Sequence, residues 1–279
     1  MECDTCTEHL DNTERLPDSR CPSCHQDRSG ARDPPPAAAP APPAAPNDGR
    51  DPQPAADAQA RPPREMEMTW YIGNSPDDEQ QRKAAALRDA PGVRRLVGVR
   101  CDRDPAWSLQ LLQRAAPSVE QLSVYGPREA HLRAVHAMPR LTRLLLSCHD
   151  AALAAQPPEL PALPTGHSRL QWLRVWDFPR AGATLLQSLL RAHGHSLEFL
   201  QLQVGTAGDK EWPESCGDLH SLLEPCGLRA LRRLVLQRGA RRFTHGPAPC
   251  GQQRAQVRRV LPGAEVLCIE CDDVEWDDL

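Results

Sequence analysis

From about residue 68 onward the chain repeats one apolar pattern, three large aliphatic positions spaced L-x-x-L-x-L. The clear copies are Val119/Leu122/Val124, Leu141/Leu144/Leu146, Leu170/Leu173/Val175, Leu197/Leu200/Leu202 and Leu231/Leu234/Leu236. Weaker copies stand at Val93/Leu96 and at Ala264/Leu267/Ile269. The last two positions of each triplet alternate with other residues, as in a strand with one buried face. Between triplets, apolar residues three and four apart mark helix faces: Leu109, Leu111, Leu112 and Ala115; Leu132, Val135 and Met138; Leu185, Leu186, Leu189 and Leu190. Each unit reads as a short strand followed by a return helix. Such a unit cannot bury its apolar side alone, so about seven units must stack with their strands parallel. Two connections depart from the helical pattern. Residues 151–169 carry Pro157, Pro158, Pro161 and Pro164 and predict a loop, and residues 205–218 read as an insertion.

The strand pattern and spacing, with starts about 22 to 34 residues apart, resemble leucine-rich repeats with loop insertions. The resemblance implies an α/β solenoid, curved and open, with parallel strands on its concave side and return helices outside. In that geometry the residues beside the leucines line the concave face. These are Gln121, Ser123 and Tyr125; Arg143, Leu145 and Ser147; Trp172, Arg174 and Trp176; and Phe199, Gln201 and Gln203. Aromatics make up only 4% of this chain. Finding Tyr125, Trp172, Trp176 and Phe199 there, interleaved with Arg143 and Arg174, predicts a protein-binding face, since Trp, Tyr and Arg dominate binding hot spots.

Composition divides the rest. Residues 31–66 are largely Pro, Ala, Asp, Gln and Arg, with almost nothing to bury, and predict a disordered Pro/Ala-rich linker. Residues 1–30 carry two C-x-x-C pairs, Cys3/Cys6 and Cys21/Cys24, with fourteen residues between them. Two such pairs suit one tetrahedral zinc ion, and a segment this short and polar needs the metal to fold. The domains are therefore read as a zinc-binding module at 1–30, the linker at 31–66 and the repeat domain with an acidic tail at 67–279. Cys268 and Cys271 form a third C-x-x-C, read here as thiols of a strand with no partner pair nearby.

Cys3-Asp-Thr-Cys6 and Leu16-Pro17-Asp18-Ser19-Arg20-Cys21-Pro22-Ser23-Cys24 resemble the opening and closing of a RING-type finger. The resemblance implies an E3 ubiquitin ligase component. The finger would hold a ubiquitin-conjugating enzyme, and the repeats would recruit a substrate. Only what look like the first and last ligand pairs are present; the middle ligands of the RING cross-brace are missing, and His9 and His25 cannot rebuild it. A non-enzymatic scaffold and a nucleic-acid-binding zinc ribbon are the alternatives. The arginines at 229, 232, 233, 238, 241, 242, 254, 258 and 259 favour phosphate contacts. The acidic finger, the net charge of −4 and the acidic tail oppose them. No F-box and no catalytic motif is found, so no catalytic residue is expected; a RING ligase needs none of its own. His193 and His195 flank a helix end, where a charged histidine is favoured. No run approaches the roughly 20 apolar residues of a membrane span, and the start of the chain shows no signal peptide. The expected setting is cytoplasmic or nuclear, where thiols stay reduced.

Two outcomes follow. Elemental analysis should find about one zinc per chain lost when Cys3, Cys6, Cys21 or Cys24 is changed to Ser; retention of all bound zinc would refute the N-terminal site. Limited proteolysis should cut within residues 31–66 first, and earlier cleavage inside the repeats would refute the linker.

Overall fold

The computed structural model describes residues 64–68, 76–148, 160–161, 163, 169–178, 182–238 and 242–275. The chain divides into two units, Met1–Asp57 and Ala58–Leu279, and every described residue belongs to the second. The elements of that unit alternate. Strand β1 (Glu65–Glu67) precedes α1 (Pro76–Asp89), β2 (Arg95–Arg100), α2 (Pro105–Ala115), β3 (Gln121–Tyr125), α3 (Glu129–His136) and β4 (Arg143–Ser147). Then come β5 (Trp172–Trp176), α4 (Ala183–His193), β6 (Phe199–Gln203), α5 (Leu219–Leu223), β7 (Arg233–Gln237), α6 (Pro247–Val260) and β8 (Glu265–Cys268). A 3-10 turn, Glu224–Cys226, extends α5. The eight strands form one open sheet in sequence order, and every neighbouring pair is parallel. This is the repeat-like α/β architecture that the alternating pattern predicts. β1 opens within the last residues of the segment read as linker, where Glu65-Met66-Glu67-Met68 alternates polar and apolar as a strand does.

In-register pairing lines the apolar positions up across the sheet. Leu122, Leu144, Leu173, Leu200, Leu234 and Val266 form one row. Val124, Leu146, Val175, Leu202, Leu236 and Cys268 form the next. None of the twelve is more than 2% exposed. Burying one such aliphatic side chain contributes about 1.5–3 kcal/mol, so these rows and the helix faces packed on them (Leu111, Leu112, Leu132, Leu186, Leu190) dominate the core. Hydroxyls tie successive units together: Ser118 Oγ donates to the Val93 carbonyl at 2.9 Å, and Ser196 Oγ to that of Leu170 at 2.9 Å.

Two strands depart from the regular pattern. In β2 the register shifts between Leu96 and Val99, and Gly98 sits at φ 78°, where a side chain would be strained. The extra residue puts Val99, rather than residue 98, opposite Val124. In β8 the sequence-based triplet Ala264/Leu267/Ile269 is one residue out of step. Pairing sets Val266 against Leu234 and Cys268 against Leu236, so Val266 and Cys268 are the fully buried pair and Leu267 points the other way. A slip of one residue exchanges the two faces of a strand.

Buried histidines replace the expected charged helix end. His193 ends α4 but is 5% exposed, and its ring meets His136 edge-on with centroids 5.3 Å apart. Burial, with His136 and His195 nearby, pushes its pKa down to about 3. Burial likewise lowers His136, whose Nε2–H donates to the Pro161 carbonyl at 2.7 Å, and His131. These rings pack as neutral groups, so helix-dipole stabilisation of a cation does not apply. The folded pKa lies below the unfolded one, so between pH 6.5 and about 3 the unfolded chain binds more protons and stability falls with pH. The urea midpoint should drop from pH 7.5 to pH 5, and drop less in His193→Gln. An unchanged wild-type midpoint would refute neutral burial.

Candidate binding face and metal centre

Alternation places Gln121, Ser123, Tyr125, Arg143, Leu145, Ser147, Trp172, Arg174, Trp176, Phe199, Gln201 and Gln203 on the sheet side opposite the leucine rows. Register brings five of the six predicted site residues together, while Tyr125 pairs with Ser147, which separates it from Trp176. Arg143, Trp172 and Phe199 are direct neighbours in one cross-strand row; Arg174 pairs with Gln201 in the next; Trp176 is two residues along from Trp172. Trp172 stacks on Phe199 with ring centroids 5.4 Å apart and planes 6° from parallel. The Arg143 guanidinium lies 4.8 Å from the Trp172 ring. Arg174 lies between the two indoles, 5.2 Å from Trp172 and 5.3 Å from Trp176. Arg174 Nε donates to Gln201 Oε1 at 2.7 Å, and Gln201 Nε2 donates to Gln237 Oε1 at 2.7 Å.

The side chains cover one another. Trp172 is 5% exposed and Arg174 4%, while Tyr125, Arg143, Trp176 and Phe199 are half-buried. The row is a layered cluster with Trp172 inside it. Cation–π contacts of this kind contribute about 0.5–2 kcal/mol each, and together with the glutamine bonds they hold the face in one arrangement. The indole N–H groups of Trp172 and Trp176 are buried and have no acceptor among the described residues.

Cys3, Cys6, Cys21 and Cys24, with His9 and His25, lie outside the described residues. A second sulfur cluster lies at the end of the sheet. His245 comes just before α6, Cys250 sits in its first turn, Cys268 ends β8 and Cys271 follows in the turn. Their ligand atoms all lie within 4.8 Å of one another, and the set could hold a metal ion. Cys271 Sγ is 3.3 Å from His245 Nε2 and 3.9 Å from Cys250 Sγ; Cys268 Sγ is 3.8 Å from His245 Nε2. Cys250 and Cys268 are buried, whereas His245 and Cys271 are exposed.

The turn is fixed by backbone bonds. The N–H groups of Cys271 and Asp272 donate to the Cys268 carbonyl at 3.0 and 2.9 Å, and Asp272 Oδ2 accepts from Cys268 N–H at 2.8 Å. Asp272 in turn pairs with Arg254 at 2.8 Å. Burial would raise the Cys268 thiol, but the Glu270 amide and the Arg238 guanidinium overcome it and lower its pKa. Partial burial, then the charges of Cys268 and Cys250, push Cys271 up to about 12. Sulfurs this close cannot all ionise without a cation between them. Other thiols are simpler: burial alone is the main reason Cys101 and Cys216 rise to about 12 and Cys226 to about 11.

Reading the third C-x-x-C as partnerless missed His245 and Cys250. The one-residue slip in β8 also turned Cys268 away from the side where Cys250 lies. The available signal was the spacing H-x4-C-x17-C-x2-C, in which the intervening residues are a helix and a strand of one repeat unit.

Several arginines of the basic block have partners within the chain. Arg232 pairs with Glu198 at 3.7 Å, Arg233 with Glu265 at 2.9 Å, and Arg242 with Asp177. Arg254 and Arg258 donate to the Val266 carbonyl. Among the described residues no helix is long and apolar enough to cross a membrane. No protein-family model, curated protein or solved structure matches this chain.

Proposed function

We propose that this chain is a leucine-rich-repeat recognition protein that binds a protein partner on the outward face of β3–β6. The observation that carries this reading is the register row of Arg143, Trp172 and Phe199, with Arg174 and Trp176 beside it. Five costly residues are concentrated on one side, away from the leucine core, in a chain that is only 4% aromatic. Their contacts fix the surface before binding, which lowers the ordering cost of association. The intramolecular pairing of the arginine block reduces the charge available to phosphates and speaks against nucleic acid as the partner.

On the same reading, Cys3, Cys6, Cys21 and Cys24 hold zinc in a RING-like module, and the protein recruits a substrate on the repeats for a ubiquitin-conjugating enzyme at that module. None of the seven cysteines of the repeat unit is joined in a disulfide, in keeping with a reducing setting such as the cytoplasm or nucleus.

Partners captured by the full chain should bind Trp176→Ala more weakly by about 2 kcal/mol or more, with little change in melting temperature. Trp172→Ala should lose binding and also thermal stability, since its ring is buried within the cluster. Full affinity in both variants would remove the face from the account. Ubiquitin transfer to a captured partner should disappear with Cys21→Ser while binding persists. If the wild type binds but never supports transfer, the protein is a scaffold.

A further inference from the structure

Arg238 follows β7 directly and is 3% exposed. Its guanidinium donates to the Val204 carbonyl, to Gln253 Oε1 at 2.6 Å and to Cys250 Sγ at 3.8 Å. Two of these acceptors are neutral oxygens, and none is a carboxylate. Its Nε has no hydrogen-bond partner among the described residues. A buried cation without an anion costs several kcal/mol, and among the described residues the groups bonded to this one that can carry negative charge are sulfurs. Gln253 is 2% exposed; besides accepting from Arg238, its amide nitrogen donates to the carbonyls of Gly205 and Cys216. Among the described residues, the guanidinium is thus held in place by carbonyl and amide oxygens that leave its charge uncompensated.

We propose that His245, Cys250, Cys268 and Cys271 bind one structural zinc(II) ion, and that Arg238 is the counter-ion of that centre. The charges balance. Three thiolates, one neutral imidazole and one zinc ion sum to a single negative charge, and the guanidinium cancels it. On binding, the three thiols give their protons to solvent. The spacing also fits. With Zn–S near 2.3 Å and Zn–N near 2.0–2.1 Å, tetrahedral geometry sets sulfurs about 3.8 Å apart and sulfur to nitrogen about 3.5 Å apart. The cluster gives 3.9 Å for Cys271 to Cys250, and 3.8 and 3.3 Å from His245 to Cys268 and Cys271. Thiolates with one imidazole select zinc over magnesium or calcium. Four protein ligands leave no open position, the mark of a structural rather than a catalytic zinc.

The site sits where the repeat array needs help. β8 pairs with β7 on one side only, and no described strand covers its other edge. The metal would clamp the turn after β8 to the start of α6. Thr244, next to His245, is already bonded to the 205–216 segment: its N–H donates to the Glu214 carbonyl at 2.9 Å, and its carbonyl accepts from Thr206 N–H at 2.9 Å. One ion would therefore join the last strand, the last helix and the insertion after β6, closing the end of the array as a terminal cap does.

The test uses the full chain with Cys3, Cys6, Cys21 and Cys24 all changed to Ser, so that only this site can hold metal tightly. Elemental analysis should find about one zinc per chain, and X-ray absorption should show three sulfurs near 2.3 Å and one nitrogen near 2.0 Å. Adding Cys268→Ser and Cys271→Ser should remove that zinc. In chelator competition, Arg238→Gln should weaken zinc binding about 10–100-fold, and Arg238→Lys, which keeps the charge, should recover part of the loss. Absence of zinc, a disulfide between Cys250 and Cys271, or zinc that survives the Cys268/Cys271 change would each overturn the site. Unchanged affinity in Arg238→Gln, or no recovery in Arg238→Lys, would overturn the role given to Arg238.

Discussion

The structure depends on the burial of apolar rows that run across the sheet from β2 to β8, each of these seven strands supplying two inward side chains. No strand has a core of its own. Leu173 is buried because Leu144 and Leu200 flank it and a helix layer covers it, and the same holds for each of its neighbours. Register therefore carries the stability, because sliding one strand by one residue would exchange its apolar and polar faces. The bulge at Gly98 shows how this constraint is met where the sequence has an extra residue: the chain takes a left-handed backbone conformation so that Val99 still reaches the row.

The same constraint creates the outward face. Once the leucines are fixed inward, the residues between them stand in rows on the other side, whatever their identity. Arg143, Trp172 and Phe199 are distant in sequence and adjacent in space for this reason alone. Their stacking, and the Arg174–Gln201–Gln237 chain of hydrogen bonds, turn an inevitable row into a fixed surface.

The central repeats were legible because Leu, Val and Ile at fixed spacing admit few other readings. The ends were less so. In β8 the apolar residues Leu267 and Ile269 match the expected pattern better than Val266 and Cys268, yet pairing with Leu234 and Leu236 decides the register. Cys268 takes a buried inward position there, which a leucine template does not weigh. The His245/Cys250/Cys268/Cys271 cluster was hidden for a related reason: its members come from two ends of a repeat unit, and only the strand–helix–strand geometry brings them within 4.8 Å. The burial of Trp172 and Arg174 was equally beyond the sequence, since alternation gives the side on which a residue stands but not what covers it.

Across the sheet, one row runs Gln121, Arg143, Trp172, Phe199 and Arg233. Neighbouring strands lie about 4.8 Å apart, so four steps separate the backbones at residues 121 and 233 by about 19 Å. Spin labels introduced at Gln121 and Arg233 through non-cysteine chemistry would leave the eleven native cysteines untouched, and their distance can be read by pulsed electron resonance. An ordered, in-register parallel array predicts one narrow distribution near 20 Å, widened only by the reach of the labels. A broad distribution, or one centred beyond about 30 Å, would contradict the strand order on which the core and the proposed binding face both rest.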